Sequence, residues 1–295
     1  MADICLICNP TAKSGEAEDA SKKVCELLEK RGADYVLWKT EYPGHATELA
    51  KEAVEAGYKL IVAVGGDGTL RETALSVAKT DATLGIIACG TGNDFIRTSK
   101  IPLDLEKAVD VLLDGEDLTI DVGMANDEMF FNVAGFGFDV DVLDYTELYK
   151  PKCKNGSTAY LLGLARALFG LKQRKAKIIF EDGIIENNVL LAAAGIGRFY
   201  GGGIEVTPNA DMSDGYLDIC IVHDVNFFTI LLILPKFLKG KHLGYKEVIY
   251  RKEKTVTIEC EPESRIQVDG ERMPGTPVTF RVIEKALKIR VPKMQ

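Results

Sequence analysis

The chain lacks any long hydrophobic run, since its most apolar segment extends only from Phe227 to Leu234 before Pro235. A helix that spans a bilayer needs about 20 apolar residues, so we expect no transmembrane segment. The first residues, Met1 to Ile4, show neither the basic nor the apolar part of a secretory signal. Basic residues are outnumbered by acidic ones, 36 to 44, and the net charge of −8 disfavours nucleic acid as a partner.

Cysteine and histidine are sparse and scattered. The seven cysteines are odd in number and spread over the chain, which is not typical of a disulfide framework. Cys5 and Cys8 lie in a predicted strand, where residues three apart point to opposite faces, so a core position is favoured over a metal or redox site. The three histidines are too dispersed for a zinc site. These absences together predict a cytoplasmic protein.

The chain has 295 residues, which is long enough for two domains. Its first and second parts differ in their pattern of apolar residues. Residues 1–117 alternate apolar runs with helical patterns, which predicts an α/β domain with a mostly parallel sheet. Residues 118–295 are rich in β-branched residues and turns, which predicts an antiparallel β-rich domain whose last strand is free to return to the first domain. The cleft between two unlike domains is the default place for an active site. The strands predicted in the second domain include 248–260, 278–283 and 287–291.

The most informative motif is the glycine-rich string from Gly65 to Thr69 (GGDGT), which follows the apolar run 60–64 and opens a predicted helix. A strand that ends in glycines before a helix presents free backbone N–H groups, which suit a phosphate. A carboxylate among such groups implies a cation, so Asp67 predicts Mg²⁺ and phosphoryl transfer. The simpler interpretation is that Asp67 caps the following helix.

Three further polar segments lie in predicted loops. Thr91 to Asp94 follow the next strand and so should lie at the same edge of the sheet, although Asn93 or Asp94 alone would be read as a helix cap. Asp269-Gly270-Glu271 offers a carboxylate that could act as general base, or forms an ordinary hairpin turn. The acidic segment 211–218 is either a site for a hard cation or a turn before a strand.

Taken together, the order and spacing of these motifs resemble the diacylglycerol kinase catalytic-domain family, in particular the small bacterial lipid kinases that are related to sphingosine kinases. The resemblance covers nearly the whole chain. It implies a nucleotide site, a catalytic pair and a structural Mg²⁺ site. The nucleotide-binding positions that it implies are Asn9, Thr40, Gly65, Gly66, Asp67, Gly68, Thr69, Leu70, Arg71, Glu72 and Thr91.

The same resemblance assigns roles to the remaining residues. Glu271 would accept the proton of the lipid hydroxyl, while Asp67 would serve Mg²⁺ and the phosphates of ATP. Asp139 would belong to a supporting hydrogen-bond network. The structural Mg²⁺ would be held by the carboxylate of Asp214 and by backbone carbonyls at Asp211 and Tyr216. Apart from the resemblance, the amide of Asn93 and the carboxylate of Asp94 after the strand predict substrate binding.

The function predicted is an ATP-dependent lipid kinase that converts diacylglycerol to phosphatidic acid. Two alternatives stay open, a kinase of a soluble alcohol such as NAD or a polyol, and a silent nucleotide- or lipid-binding protein. A lipid substrate requires peripheral contact with a membrane, for which the apolar and basic segments 227–241 and 159–177 are candidates. Packing of these segments on the second domain is the simpler interpretation for most of their apolar residues, and the sequence leaves a homodimer open.

Overall fold

The computed structural model describes residues 3–153 and 156–293, which form two units. Unit 1 comprises the described residues up to Val122 together with those from Glu284 onward, and unit 2 is Gly123–Ile283. Residues 118–122 and the C-terminal segment therefore belong to the same unit as the alternating part of the sequence.

Unit 1 is built around a parallel sheet. Its strands lie in the order β2, β1, β3, β4, and the C-terminal part of β17 pairs with β4, also in parallel. The elements are β1 Ile4–Cys8, α1 Glu16–Lys30, β2 Tyr35–Lys39, α2 His45–Glu55, β3 Leu60–Gly65, α3 Asp67–Val77, β4 Thr83–Ala88, α4 Asp94–Ser99, α5 Leu105–Asp114 and β5 Glu116–Ala125. The predicted fold class of this part of the chain is confirmed.

The core of unit 1 follows from the sequence pattern. Every residue of β1 and β3 is buried, as expected for parallel strands that are covered on both faces. Helix α1 contributes Val24 and Leu28, spaced four residues apart on one face, and α5 contributes Val109 and Leu112. Burying each such side chain contributes about 1.5–3 kcal/mol, which fixes these helices on the sheet.

Unit 2 is antiparallel and β-rich, as predicted. The strand order is β16, β15, β7, β9, β8, β14 and β17, and β12 pairs with both β9 and β13. Its elements are β6 Glu128–Phe130, β7 Val133–Gly137, α6 Phe138–Tyr149, α7 Gly156–Phe169, β8 Arg174–Phe180, β9 Gly183–Gly195, β10 Phe199–Tyr200, β11 Ile204–Glu205, β12 Leu217–His223, α8 Phe227–Phe237, β13 Val248–Glu253, β14 Thr255–Cys260, β15 Ile266–Val268, β16 Glu271–Met273 and β17 Val278–Val291.

Two strand predictions in this region were wrong in their boundaries. The run 248–260 is two strands, because β13 pairs with β12 whereas β14 pairs with β8 and β17. The runs 278–283 and 287–291 form the single strand β17, although Glu284 and Lys285 resemble a turn. Lys285 does adopt a positive φ of 52°, but its N–H donates to the Asp121 carboxylate at 2.8 Å, and the strand continues.

Candidate active site

The strand order of unit 1 contains one topological switch point. Strand β1 lies between β2 and β3, so the chain reverses the direction in which it adds strands after β2. Ligands of open α/β sheets bind at such a switch point, outside the carboxyl ends of the strands. The loop that begins at Asn9 follows β1 there, and the GGDGT string follows β3. The Asn9 N–H donates to the Val64 carbonyl in β3 at 3.1 Å, so the start of the first loop stays paired with the end of β3.

Asp67 joins the GGDGT string to the loop after β4. It is the first residue of α3, and its two carboxylate oxygens accept the backbone N–H groups of Asn93 (2.8 Å) and Asp94 (3.0 Å). Hydrogen bonds to a charged acceptor are about twice as strong as neutral ones. The carboxylate therefore fixes the position of one loop relative to the other, and the predicted helix-cap role does not describe it.

Glycine is required where these loops meet. A Cβ on Gly90 would lie 2.7 Å from the Cα of Gly66, closer than real Cβ contacts come. A Cβ on Gly92 would lie 2.9 Å from an oxygen of Asp67. Gly68, by contrast, has open space around it and is exposed. The backbone at the N-terminus of α3 is therefore accessible, and the glycines around it serve close packing of the two loops.

The loop after β4 closes on itself through Asn93. Its side-chain oxygen accepts the Gly90 N–H and its amide group donates to the Gly90 carbonyl, both at 2.9 Å. Asn93 adopts the left-handed conformation (φ 50°), and Asp94, which is buried, begins α4. These contacts shape the loop and leave the side chain of Thr91 exposed at its tip. Substrate binding by Asn93 and Asp94 stays a prediction.

The predicted nucleotide positions at the start of α3 differ in their access. Thr69, Leu70 and Arg71 are buried, whereas Gly66, Asp67 and Gly68 are partly or fully exposed. Glu72 accepts the backbone N–H groups of Gly44 (3.0 Å) and Ala46 (3.2 Å) at the start of α2. The structure thus gives Glu72 a helix-capping role. The accessible nucleotide-binding candidates of this string are its first residues.

Asn9 and Thr40 lie at the same edge of the sheet. The Asn9 side-chain oxygen accepts the N–H (3.1 Å) and the hydroxyl (2.9 Å) of Thr11, which makes a turn after β1. The Thr40 N–H donates to the Cys8 carbonyl at 2.9 Å, directly after β2. Both residues are half-buried. The side chain of Ser14, in the same loop as Asn9, lies outside the described residues.

In unit 2, Glu271 follows a two-residue hairpin turn. Asp269 and Gly270 join β15 to β16 with φ values of 49° and 86°, and Val268 pairs with Glu271 across the hairpin. The Asp269 carboxylate accepts three backbone N–H groups, from Phe131 (2.8 Å), Asn132 (3.0 Å) and Val133 (3.1 Å). The hairpin turn considered as the simpler interpretation is therefore present, and it holds the exposed Glu271 in a fixed place.

Asp139 supports that turn through a buried hydrogen-bond chain. The Gln267 side chain donates to Asp139 at 3.1 Å and accepts the N–H of Gly270 at 2.8 Å. The Val140 N–H donates to the other Asp139 oxygen at 2.9 Å. Burial raises the pKa of Asp139 to about 7. Asp139 therefore takes part in a supporting network, and that network ends at the backbone beside Glu271.

The acidic segment 211–218, which was predicted to hold a structural Mg²⁺, is contacted by the ammonium group of Lys252 from β13. One oxygen of Asp214 contacts Lys252 and the other accepts the Tyr216 N–H at 3.1 Å. Asp211 accepts the N–H and the hydroxyl of Ser213. A magnesium ion on the oxygen of Asp214 that contacts Lys252 would have to displace the lysine ammonium. The magnesium site at Asp211, Asp214 and Tyr216 stays a prediction. Within residues 3–153 and 156–293, no three His, Cys, Asp or Glu side chains are arranged to hold a metal.

The sequence reasoning missed three residues of these networks. Gln267 is a polar residue at a buried strand position, which by itself signals a hydrogen-bond partner. Asp269 was quoted only as part of a motif, although a DG turn beside a strand suggests backbone contacts. The contact of Lys252 with Asp214 could not be predicted from the sequence, because the two residues lie 38 positions apart.

Two family models match this chain in succession. The model of the diacylglycerol kinase catalytic domain matches residues 3–125. The model described as the YegS C-terminal NAD kinase beta sandwich-like domain matches residues 132–291. The two matches follow one another along the chain, as the alternating and β-rich parts of the sequence do.

Curated relatives and solved structures match over nearly the full length. The diacylglycerol kinase of Staphylococcus epidermidis (strain RP62A) is 32% identical over 98% of this chain and 92% of its own. That of Bacillus subtilis (strain 168) is 30% identical over 98% and 96%. A crystal structure of a candidate diacylglycerol kinase from Bacillus anthracis str. Sterne has a TM-score of 0.81 at 26% identity, covering 98% of this chain and 97% of that one.

Proposed function

This chain belongs to the diacylglycerol kinase family, and we propose that it transfers the γ-phosphate of ATP to the primary hydroxyl of a diacylglycerol. The family makes it a lipid kinase with ATP as co-substrate, which confirms the resemblance read from the motifs. The observation that supports the nucleotide site is the switch point between β1 and β3, where Asp67 joins two glycine-rich loops beside the open N-terminus of α3.

The phosphates of the nucleotide would lie against the first N–H groups of α3. The N-terminus of this 11-residue helix carries partial positive charge and unsatisfied donors, and Gly68 leaves the backbone open. Each Asp67 oxygen accepts one amide and keeps a further lone pair. The donor set therefore fits a magnesium ion carried by the phosphates, with Asp67 reaching it directly or through water. When bound, that ion would neutralise the phosphate charge.

Glu271 would act on the acceptor. As the lipid hydroxyl oxygen forms its bond to the γ-phosphorus, the bond from that phosphorus to the β–γ bridging oxygen breaks and ADP departs. The hydroxyl proton passes to the Glu271 carboxylate. Because phosphoryl transfer has a loose transition state, this residue serves mainly to orient the hydroxyl and to take its proton late. The rigid turn from Asp269 to Gly270 supplies the fixed position that such a role requires.

We also propose that the chain acts from the cytoplasm by peripheral contact with a membrane, where its lipid substrate resides. Among residues 3–153 and 156–293, no helix is both long enough and apolar enough to cross a bilayer. The proposed lipid acceptor would then have to be reached from the membrane surface.

The test is transfer of labelled γ-phosphate from MgATP to diacylglycerol and sphingosine in mixed micelles, with NAD and glycerol as soluble acceptors. We expect label in phosphatidic acid. Glu271→Gln should reduce the rate by about 10²–10⁴-fold, because general-base catalysis contributes that much. Glu186→Gln, an exposed glutamate on β9, is the matched control and should retain the wild-type rate.

Other outcomes separate the alternatives. Label only in NAD or glycerol would identify a kinase of soluble alcohols. Binding of ATP without transfer to any acceptor would identify a silent binding protein. A Glu271→Gln variant with full activity would show that Glu271 is not the general base. The labelled product would still identify the acceptor.

A further inference from the structure

Helix α8 exposes an apolar face that unit 2 does not cover. Its inner face, Ile230, Ile233 and Phe237, is buried in the core of the unit. The outer face bears large side chains that are mostly exposed, Phe227, Phe228, Leu231 and Leu232, followed by Leu238 just beyond the helix. The exposed fraction reaches 76% for Phe228 and 69% for Leu232. When a helix is apolar on both faces and only one face is packed, the other face is expected to bind a second apolar partner.

The segment that follows α7 is hydrogen-bonded to the start of α8. Gln173, just after α7, makes two hydrogen bonds to the backbone of Val225, just before α8, at 2.7 and 3.0 Å. Phe169, the last residue of α7, is 82% exposed. Phe169 stands four residues before Gln173 in the chain and is the sixth large exposed apolar side chain that we include. We call Phe169 together with Phe227, Phe228, Leu231, Leu232 and Leu238 the α8 surface.

The two chain segments that bear the α8 surface carry basic residues and no acidic ones. No Asp or Glu occurs from Val225 to Lys246, whereas Lys236, Lys239, Lys241 and Lys246 all do. The segment 156–180 also lacks acidic residues and carries Arg166, Lys172 and Lys175. Its other two cations are paired with acids from elsewhere in the unit, Arg174 with Asp141 and Lys177 with Glu259. Lys246 pairs with Glu247, and Glu205 lies beside Gly240. The positive charge next to the exposed hydrocarbon therefore rests mainly on Lys236, Lys239 and Lys241, in a chain of net charge −8.

We propose that the α8 surface docks on an anionic lipid bilayer, with its apolar side chains in the acyl boundary and its lysines at the headgroups. Peripheral helices bind in this way, through apolar burial together with attraction to anionic lipid. A second copy of the chain would bring lysines against lysines, whereas anionic headgroups neutralise them. The inference rests on the proposed function in one respect, that a membrane holds the substrate, and it names the surface that reaches it.

The test is co-sedimentation of the full chain with vesicles, without ATP or substrate. The vesicles contain equal parts of phosphatidylglycerol and phosphatidylcholine. We expect Phe228→Ser/Leu232→Ser to bind at least tenfold more weakly than wild type, because two exposed apolar side chains lose their burial in the membrane. Both residues are exposed, so the fold should persist. Leu103→Ser/Ile184→Ser, each 59% exposed in the wild type, is the matched control and should bind as wild type does.

Charge is tested separately on the same vesicles. Lys239→Gln/Lys241→Gln should weaken binding about fivefold per lysine and reduce its salt dependence. Binding to vesicles of phosphatidylcholine alone should be weak for wild type and unchanged by these substitutions. Equal binding of the lysine variant and wild type to anionic vesicles would overturn the electrostatic half of the proposal.

Other results overturn the proposal outright. Wild type that fails to bind the anionic vesicles, or a serine variant that binds as well as wild type, excludes docking through the α8 surface. A wild-type dimer that becomes a monomer in the serine variant, measured by analytical ultracentrifugation, assigns the surface to a protein interface instead. Because binding is measured without ATP, a chain that binds vesicles but phosphorylates no lipid would contradict the proposed function and leave the docking surface standing.

Discussion

Asp67 in unit 1 and Asp269 in unit 2 use the same chemistry in different settings. Each carboxylate accepts backbone N–H groups from a distant segment, two for Asp67 and three for Asp269. Asp67 joins two loops at the carboxyl edge of a parallel sheet and borders open backbone. Asp269 lies in a tight hairpin turn and fixes the short connection between β6 and β7.

The difference lies in what each aspartate leaves accessible. Around Asp67 the neighbouring residues Gly66 and Gly68 remain partly or fully exposed, so the joined loops can still receive a ligand. Around Asp269 the backbone is committed to hydrogen bonds, and the accessible group is the next carboxylate, Glu271. We therefore expect loss of Asp67 to affect activity first, and loss of Asp269 to affect stability first.

The largest expected effect is on the unit 2 side of this comparison. Asp269→Ala leaves three backbone N–H groups without their charged acceptor and should lower the free energy of unfolding by about 3 kcal/mol. Urea denaturation measures it. Asp127→Ala, an exposed turn aspartate of the same unit, should change stability by less than about 0.5 kcal/mol. Equal stabilities of the two variants would show that Asp269 does not hold the turn.

On the unit 1 side, Asp67→Ala should lower kcat/KM for ATP about a hundredfold, equal to about 2.7 kcal/mol. The reason is that the two loops lose their fixed relative position and the proposed magnesium loses its carboxylate. Steady-state kinetics on the variant and on Asp34→Ala, an exposed control in the same unit, make the measurement. A normal kcat/KM of the Asp67→Ala variant would contradict the proposal that loss of Asp67, unlike loss of Asp269, affects activity first.

Asp139, which supports the turn at Asp269, should make the stability of the protein depend on pH. Its pKa is about 7 in the folded chain against an ordinary value of 3.8, so between these values the folded state binds more protons than the unfolded one. Stability should therefore fall as pH rises, by about 2 kcal/mol from pH 5 to pH 7 from this group, and level off above pH 7. Urea denaturation across this range should show that slope for wild type and its loss for Asp139→Asn. Parallel pH profiles for both proteins would contradict the assignment.

The smallest expected effect concerns Glu72, which caps α2 at a distance from the open backbone. Glu72→Gln should lower the unfolding free energy by about 1 kcal/mol, because the amide keeps one acceptor oxygen and turns an NH2 donor towards the other of the Gly44 and Ala46 N–H groups. The KM for ATP should stay unchanged, with Glu52→Gln in α2 as control. A raised KM with unchanged stability would instead support the nucleotide contact that the family resemblance implies.

Much of the fold could be predicted because its signals are local. The alternation of apolar strands and amphipathic helices gave the parallel sheet of unit 1, and the β-branched runs gave the antiparallel unit 2. The failures came from contacts between distant residues: Glu284 and Lys285 resemble a turn, yet β17 runs through them, and the Asp121 carboxylate accepts the Lys285 N–H. Such a contact, across 164 residues, leaves no trace in a sequence window.

The sequence by itself determined which residue types stand at the strand ends: glycines and Asp67 after β3, and Asp269 to Glu271 after β15. Strand ends and turns follow from periodicity and from the few residues that tolerate a positive φ, so they can be read locally. Only the tertiary structure decided what each carboxylate contacts: that Asp67 and Asp269 hold backbone, that Asp139 supports the turn through Gln267, and that Lys252 lies on Asp214. Those partners come from elements far apart in the chain, and only packing of the elements brings them within hydrogen-bond distance.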